Sequence, residues 1–403
     1  LVLKAVGGDN LADLQPDGRH LIWVYPGSLA QSLDAATWLA TTRALREMGW
    51  RVTLIHVGPP GEQAIRGVPV TGIPRSNVYF VRQIIWHLRV AGYILRHWQD
   101  TYAVLFHEMS VPWLLPLKLL RPFKKKPAPL FVMDTRTLHM MPLDKERFID
   151  RLRRTFYGAS DWAANRFADG RLAITHRMAE AVAIPTEKLW GIWPSGVELE
   201  IFSHTRDKRH WPNGNDPIVL VHPGSQHHER NLMALSRAVA RANEEGVPFR
   251  LRLVGAGDAT EELRAYAATM NGIISVEPPV PHSEMAGVLA AAHVGTIPFP
   301  DQLKFQVSSP IKLFEYLAAG LPILSTRQES VMDAAGDADC IIWAEGSGEE
   351  DLLHALRDLW QVRDTLPEKS EQAVEVSHKW TWAASAKKLS DALLTRGTAR
   401  ETL

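Results

Sequence analysis

Strand and helix alternate twice over along this chain, and that alternation constrains the fold more than any other feature of the sequence. In the first half an apolar strand at Leu21–Tyr25 enters a Pro26-Gly27-Ser28 turn, a helix from about Ala35 to Met48 stops at Gly49, and a second strand spans Arg51–Val57. A strand, a helix and a strand in that order imply parallel neighbours joined by a right-handed crossover. Further strands are expected at Ala103–His107, Leu130–Met133 and Gly170–Ile174, with helices over about Asp144–Asn165 and Arg177–Ala183. The second half repeats the pattern. Strands are expected at Ile218–His222, Arg250–Val254, Ile273–Val276, Val294–Pro298 and Pro322–Ser325, and helices at Asn231–Glu244, Thr260–Thr269, Ser283–Ala291 and Ile311–Ala319. The expectation is an α/β protein of two doubly wound, Rossmann-like domains, with ligands at the carboxyl ends of the strands.

The polar stretch 203–216, with its Pro212-Asn213-Gly214, is expected to be an interdomain linker. It would separate a first domain over 1–202 from a second over 217–376, and a last helix is expected over 377–403. The zero net charge conceals an asymmetry: residues 1–200 hold 25 Lys+Arg against 18 Asp+Glu, whereas 217–403 hold 17 against 25. Two halves of opposite sign point to different partners. The single cysteine, Cys340, excludes an internal disulfide framework and fits a reducing compartment. With no apolar run of membrane-spanning length and no charged-then-apolar start, a cytoplasmic location is expected.

Three segments of the second half leave a strand, enter a helix and present backbone amides suited to an anion. They are His222-Pro223-Gly224-Ser225 leading to Arg230, Leu253-Val254-Gly255-Ala256-Gly257-Asp258, and Ser308-Ser309-Pro310-Ile311-Lys312 running through Glu315 to Gly320 and Pro322. Helix N-termini supply free N–H groups and a positive dipole end. Lys312 stands in a first turn, where the dipole favours acids, and a bound diphosphate would account for a cation there.

In their order and spacing these segments resemble the donor domain of retaining glycosyltransferases of GT-B architecture, the group called family 4. Trp193-Pro194-Ser195-Gly196-Val197-Glu198 is similar to the segment closing that family's first lobe. Ser309-Pro310-x-Lys312 through Glu315 is close to its most specific signature, and Trp380-Thr381-Trp382 resembles the start of its last helix, which packs back across both lobes. The resemblance implies a transferase that moves a sugar from a nucleoside-diphosphate sugar, UDP- or GDP-linked, to a glycan or lipid-linked acceptor. It implies no other cofactor and no metal, and no Asp-x-Asp stands ready to hold one.

Residue by residue, the resemblance implies that Glu315 takes the donor ribose and Arg230 the diphosphate. Gly224, Gly255, Gly257 and the Ser309, Pro310, Ile311 and Lys312 loop would line the donor site, and Val280 would meet the base. In the first half it implies catalytic positions at His107, Glu108 and Asp134. Three departures accompany it: Val307 stands where the family has its first glutamate, Ser225 where many members carry a second phosphate-binding arginine, and Ser32-Leu33 where paired glycines are usual. They leave open a binding subunit without turnover, or a nucleotide-sugar epimerase of the same fold.

Residues 75–98 place Arg75, Arg82, Arg89 and Arg96 seven apart among apolar residues, on one side of an expected helix, and Leu114–Lys126 adds Lys124, Lys125 and Lys126. A basic amphipathic helix beside a basic-apolar loop is what a peripheral protein brings to an anionic bilayer. A nucleic-acid partner is not expected, since the patch carries no binding motif.

Overall fold

A computed structural model describes residues 17–30, 35–78, 81–124, 127–138 and 148–401, the last six without side-chain detail. The chain divides into two units, one of residues 1–194 with 382–403 and the other of 195–381.

The first unit carries an eight-stranded sheet: β1 (His20–Val24), β2 (Arg51–Val57), β3 (Gly61–Ile65), β4 (Val68–Ile73), β5 (Thr101–Phe106), β6 (Leu130–Thr135), β7 (Gly170–Ala173) and β8 (Leu189–Ile192). The spatial order is β3-β4-β2-β1-β5-β6-β7-β8, parallel except for the β3–β4 hairpin. β1, β5 and β6 are buried along almost their whole length, and such strands read as unbroken apolar runs. Trp23, Trp38 and Trp193 pack edge to face in the core, with Trp23 5.0 Å from Trp38 and 5.6 Å from Trp193.

The helix Trp382–Glu401 belongs to this unit. Trp50 Nε1 donates to Ser390 Oγ at 2.8 Å, Tyr102 OH to the Leu393 carbonyl at 3.1 Å, and Ser385 Oγ to the Pro194 carbonyl. Within the segment 377–403, expected as the last helix, the helix begins at Trp382, and the helix before it, Leu366–Ser377, lies in the second unit.

The second unit holds a six-stranded, wholly parallel sheet: β9 (Ile218–Ser225), β10 (Phe249–Ala256), β11 (Ile274–Glu277), β12 (Val294–Ile297), β13 (Ile323–Thr326) and β14 (Ile341–Ala344). Its order, β11-β10-β9-β12-β13-β14, is the doubly wound order with a switch point between β9 and β12. Among the described residues no helix is long and apolar enough to cross a membrane.

Three expectations need correction. Residues 203–216 are not a free linker but part of the second unit. Arg209 is buried there and donates to the carbonyls of Gly320 at 2.5 Å, Ala319 at 2.9 Å and Leu289 at 3.3 Å. Second, the basic helix runs only over Arg82–Arg96. Arg75 precedes it and donates to the Pro26 carbonyl, while Arg89 donates to Pro74 at 2.6 Å and Arg96 to Gly92 at 3.2 Å. Three of the four arginines of the expected basic stripe are thus spent on main-chain carbonyls. Third, Leu115–Phe123 is a run of tight 3-10 turns rather than a loop, leaving Leu119 and Phe123 76% and 84% exposed. Lys124 is exposed beside them, whereas Lys125 and Lys126 lie outside the described residues.

Candidate functional site

The first unit brings its three expected residues together at the ends of β5 and β6. His107 and Glu108 follow β5 directly, and Asp134 is the penultimate residue of β6. All three are buried. His107 Nδ1 donates to the Asp134 carbonyl at 3.1 Å, which fixes the ring against β6. Trp193 Nε1 donates to Asp134 Oδ1 at 2.9 Å, and the Arg136 guanidinium lies 3.8 Å over the same indole ring. Asp134 Oδ2 and Glu108 Oε1 are buried and without a hydrogen-bond partner.

Burial raises both carboxyls. Glu108 is pushed up to about 8 by desolvation, with Asp161 and Asp134 adding to the rise and Arg171 opposing it. Asp134 is pushed up to about 6 by desolvation, against Arg136, the Trp193 hydrogen bond and Arg171. At neutral pH Glu108 keeps its proton and Asp134 is mostly ionised, so the pair holds one donor and one acceptor. Arg171, fully buried, anchors the group through Thr135 Oγ1 at 2.8 Å and Asp161 Oδ1 at 2.9 Å. Ser32 and Leu33 lie outside the described residues.

The second unit gathers the other expected residues at the carboxyl end of its sheet. Gly224 turns at φ +113°, next to β9's last residue. Gly255 and Gly257 are glycine for a packing reason. A Cβ at Gly255 would stand 1.8 Å from the Gly224 carbonyl oxygen, and one at Gly257 2.3 Å from the Gln226 main chain. Asn231, left-handed at φ +59°, closes the following turn and donates to the Pro298 and Ser347 carbonyls at 3.0 and 2.7 Å.

The helix Ile311–Ala318 then presents the signature residues. Pro310 sits just before its first turn, where a missing N–H costs nothing. Ser195 holds the approach: its N–H donates to Ser309 Oγ at 3.1 Å and its hydroxyl to the Ser309 carbonyl at 2.8 Å. Arg230 and Lys312 both lie over the Phe299 ring, at 4.8 and 5.2 Å from its centre. Burial and Arg230 hold the Lys312 amine well below the usual lysine range, with Glu315 opposing. Glu315, 8% exposed, receives His282 Nε2 at 3.1 Å. Val280 packs half-buried against the core that holds Phe299, and Val307 is buried.

Neither Phe299, the shared floor of both groups, nor His282, the partner of Glu315, stands out in the sequence pattern. His222 carries a visible signal, a histidine ending the run Ile218-Val219-Leu220-Val221, but nothing local gives it a role. His227 and His228, adjacent in the loop, each pair with an acid: Asp258 at 3.2 Å and Glu262 at 3.5 Å. Among the described residues no cluster of three or more His, Cys, Asp or Glu side chains is placed to hold a metal ion.

Two parallel-sheet, Rossmann-like units with these strand orders define the GT-B fold. The sucrose-phosphate synthase of Thermosynechococcus elongatus superposes with a TM-score of 0.73 at 14% identity, over 95% of this chain and 100% of that one. HepE from Anabaena, solved with UDP and glucose, superposes with a TM-score of 0.67 at 11% identity, over 93% and 98%. Residues 217–361 match the family model described as "Glycosyl transferases group 1". A D-inositol 3-phosphate glycosyltransferase of Corynebacterium glutamicum (strain R) is 24% identical over 209 residues, 48% of this chain. The match spans about half that relative's length, 49%. The chain thus has the GT-B fold, and residues 217–361 of its second unit carry the similarity to the glycosyl transferases group 1 family.

Proposed function

We propose that this chain transfers a hexosyl group from a nucleoside-diphosphate sugar to an acceptor hydroxyl, with retention of configuration and with side-chain cations as the counter-charge. The observation that carries the reading is the convergence of Arg230 and Lys312 on one aromatic ring, one helical turn from the buried carboxylate of Glu315. A guanidinium and an amine that converge beside the opening of a helix suit the charge and the shape of a diphosphate. A carboxylate beside them suits the paired hydroxyls of a ribose.

In the proposed reaction the bond between the anomeric carbon and the diphosphate oxygen breaks, and the nucleoside diphosphate departs with the electron pair. Arg230, Lys312 and the amides opening the helix Ile311–Ala318 stabilise that charge as it develops. The acceptor oxygen bonds to the anomeric carbon from the leaving-group side, and its proton passes to the departing phosphate. Val280 would meet the base, and the Gly224 turn would let the phosphates approach the main chain. We assign the acceptor to the first unit, with Asp134 as the charge-bearing group, Glu108 as a proton holder and His107 as the ring that orients the Asp134 main chain. HepE, solved with UDP and glucose, favours a UDP-sugar over a GDP-sugar as the donor to test first.

The same reading takes the acceptor to be lipid-linked and the protein to work in the cytoplasm, peripherally at an anionic bilayer. Support comes from Leu119 and Phe123 beside Lys124, from Ile84 and Leu88 pointing outward between Arg82 and Arg89, and from Phe148, Leu152 and Trp162 along the outer side of the helix Phe148–Phe167. The test of the donor site is a thermal-shift screen of UDP, GDP and their sugar conjugates, with Arg230→Ala and Glu315→Ala alongside. A ligand that binds the folded state raises the melting temperature by mass action. Stabilisation by one nucleotide series, lost in both variants, is expected. No shift with any nucleotide at millimolar concentration would overturn the reading.

A further inference from the structure

The sheet of the second unit reverses its winding between β9 and β12, whose last paired residues are Val221 and Gly295. His222 lies just beyond that point, fully buried. An imidazole buried there is costly unless both of its nitrogens find partners. Both do. Nδ1 lies 2.9 Å from the Thr296 carbonyl oxygen on β12, and Nε2 lies 2.7 Å from Lys312 Nζ. A carbonyl only accepts, so Nδ1 carries the proton and Nε2 turns its lone pair to the lysine, which donates. Burial, Lys312 and Arg230 hold this imidazole well below its ordinary range, so it stays neutral.

The same helix fills both levels of the crevice. Tyr316, one turn after Lys312, donates its hydroxyl toward the Val221 and Thr296 carbonyls, each at 3.3 Å. Lys312 lies above it. A Cβ at Gly224 would stand 3.6 Å from Lys312 Nζ, so the amine rests at the Gly224 turn, next to Ser225. Ser225 is the position where the resemblance expects a second phosphate-binding arginine. The charged groups facing the amine are Arg230, which opposes its charge, and Glu315, which favours it.

We infer that His222 is a positioning residue: it seats Lys312 at the Gly224 turn, so that the lysine supplies the diphosphate-binding cation this chain lacks at Ser225. The inference rests on the donor-site reading of the second unit. A lysine stem has many rotamers, and ordering it on binding costs free energy. An acceptor fixed by the sheet itself removes that cost beforehand. The tautomer makes the arrangement one-directional, because a neutral acceptor leaves the amine free to take up a proton when a diphosphate arrives.

The test compares binding of a nucleoside diphosphate with binding of its parent nucleoside by calorimetry, using whichever of UDP and GDP the intact wild-type protein binds. His222→Phe removes both polar atoms. His222→Asn keeps an N–H for the Thr296 carbonyl and is too short to reach the lysine, so it serves if the Phe variant does not fold. Either substitution is expected to weaken the diphosphate about tenfold or more and to leave the nucleoside within about twofold. Added to Lys312→Met, it is expected to cost nothing further, since the histidine acts through the lysine. Equal losses for nucleoside and diphosphate, or a further loss in the Lys312→Met background, would overturn the inference while leaving the donor site intact. A wild-type protein that binds neither nucleotide would overturn the donor reading and this inference together.

Discussion

Replacing Glu108 by glutamine tests the electrostatics of the first unit without removing bulk. The carboxyl titrates near 4.5 when unfolded and near 8 in the fold, chiefly through desolvation. Because the folded value is the higher, the folded state holds the extra proton. The associated stability is present in full below about pH 4.5 and is lost as pH rises through about 8. Each unit of separation corresponds to about 1.4 kcal/mol. Keeping Glu108 protonated at pH 7 therefore costs the fold at most about 3 kcal/mol relative to the same residue at acid pH. The limit rises to about 5 kcal/mol above pH 8. Asp134 loses stability in the same direction, but over the lower window from 3.8 to about 6.

Glutamine carries no such titration. Glu108→Gln is expected to match the wild type at pH 5 and to exceed it progressively between pH 6 and 8.5, by about 2 kcal/mol or more at the upper end. For a unit of about 200 residues that is a rise in Tm of roughly 4–8 °C. The assay is thermal unfolding of the intact protein, with hydrogen exchange of peptides covering β5 and β6 read at matched pH to assign the change to the first unit. A wild-type-to-variant difference that does not change between pH 6 and 8.5 would refute the reasoning, because Glu108 would then be ionised in the fold.

Further outcomes follow from other contacts. Arg209→Met should lower the stability of the second unit by about 2–3 kcal/mol in denaturant unfolding, because three buried carbonyls lose a charged donor. Gly255→Ala places a Cβ 1.8 Å from the Gly224 oxygen at a φ of +154° and should cost about 3 kcal/mol or prevent soluble expression. The matching change at exposed Gly214 meets open space but a φ of +58°, and should cost only about 1–2 kcal/mol. Leu119→Asp with Phe123→Asp should abolish sedimentation with vesicles rich in anionic lipid while leaving nucleotide binding unchanged. Sedimentation unaffected by the pair would remove these residues from any bilayer contact.

Much of this was legible because parallel strands buried on both faces announce themselves. Ile22–Val24, Val104–Phe106 and Leu220–Val221 are apolar runs closed by glycine, proline or a polar residue, and no other element writes itself that way. The β3–β4 hairpin escaped notice because Gly61–Ile65 is polar and exposed and Val68–Ile73 contains a proline. Residues 203–216 misled for the opposite reason. Their polar surface is real, but Arg209 is held by carbonyls of Leu289, Ala319 and Gly320, some eighty and more residues away, which no local pattern records. The three strand-to-helix segments of the second half showed their glycines and their cations. What they did not show is that Gly255 and Gly257 make room for the neighbouring main chain, nor that a histidine on β9 and a lysine ninety residues later share a hydrogen bond.

The return of the helix Trp382–Glu401 to the first unit bears on the order in which the chain is made. Leu389, Leu393 and Leu394 are fully buried in the same core as Leu21 and Trp23. Although its sheet is synthesised first, that core stays open until residues near 394 have left the ribosome. The second unit, continuous over 195–381, meets no such delay. Domains commonly fold from the N-terminus as they emerge; here the later unit is the one equipped to finish first. The earlier unit waits with part of its apolar floor uncovered, and a stalled or truncated product ending before Trp382 would expose that floor to chaperones and proteases.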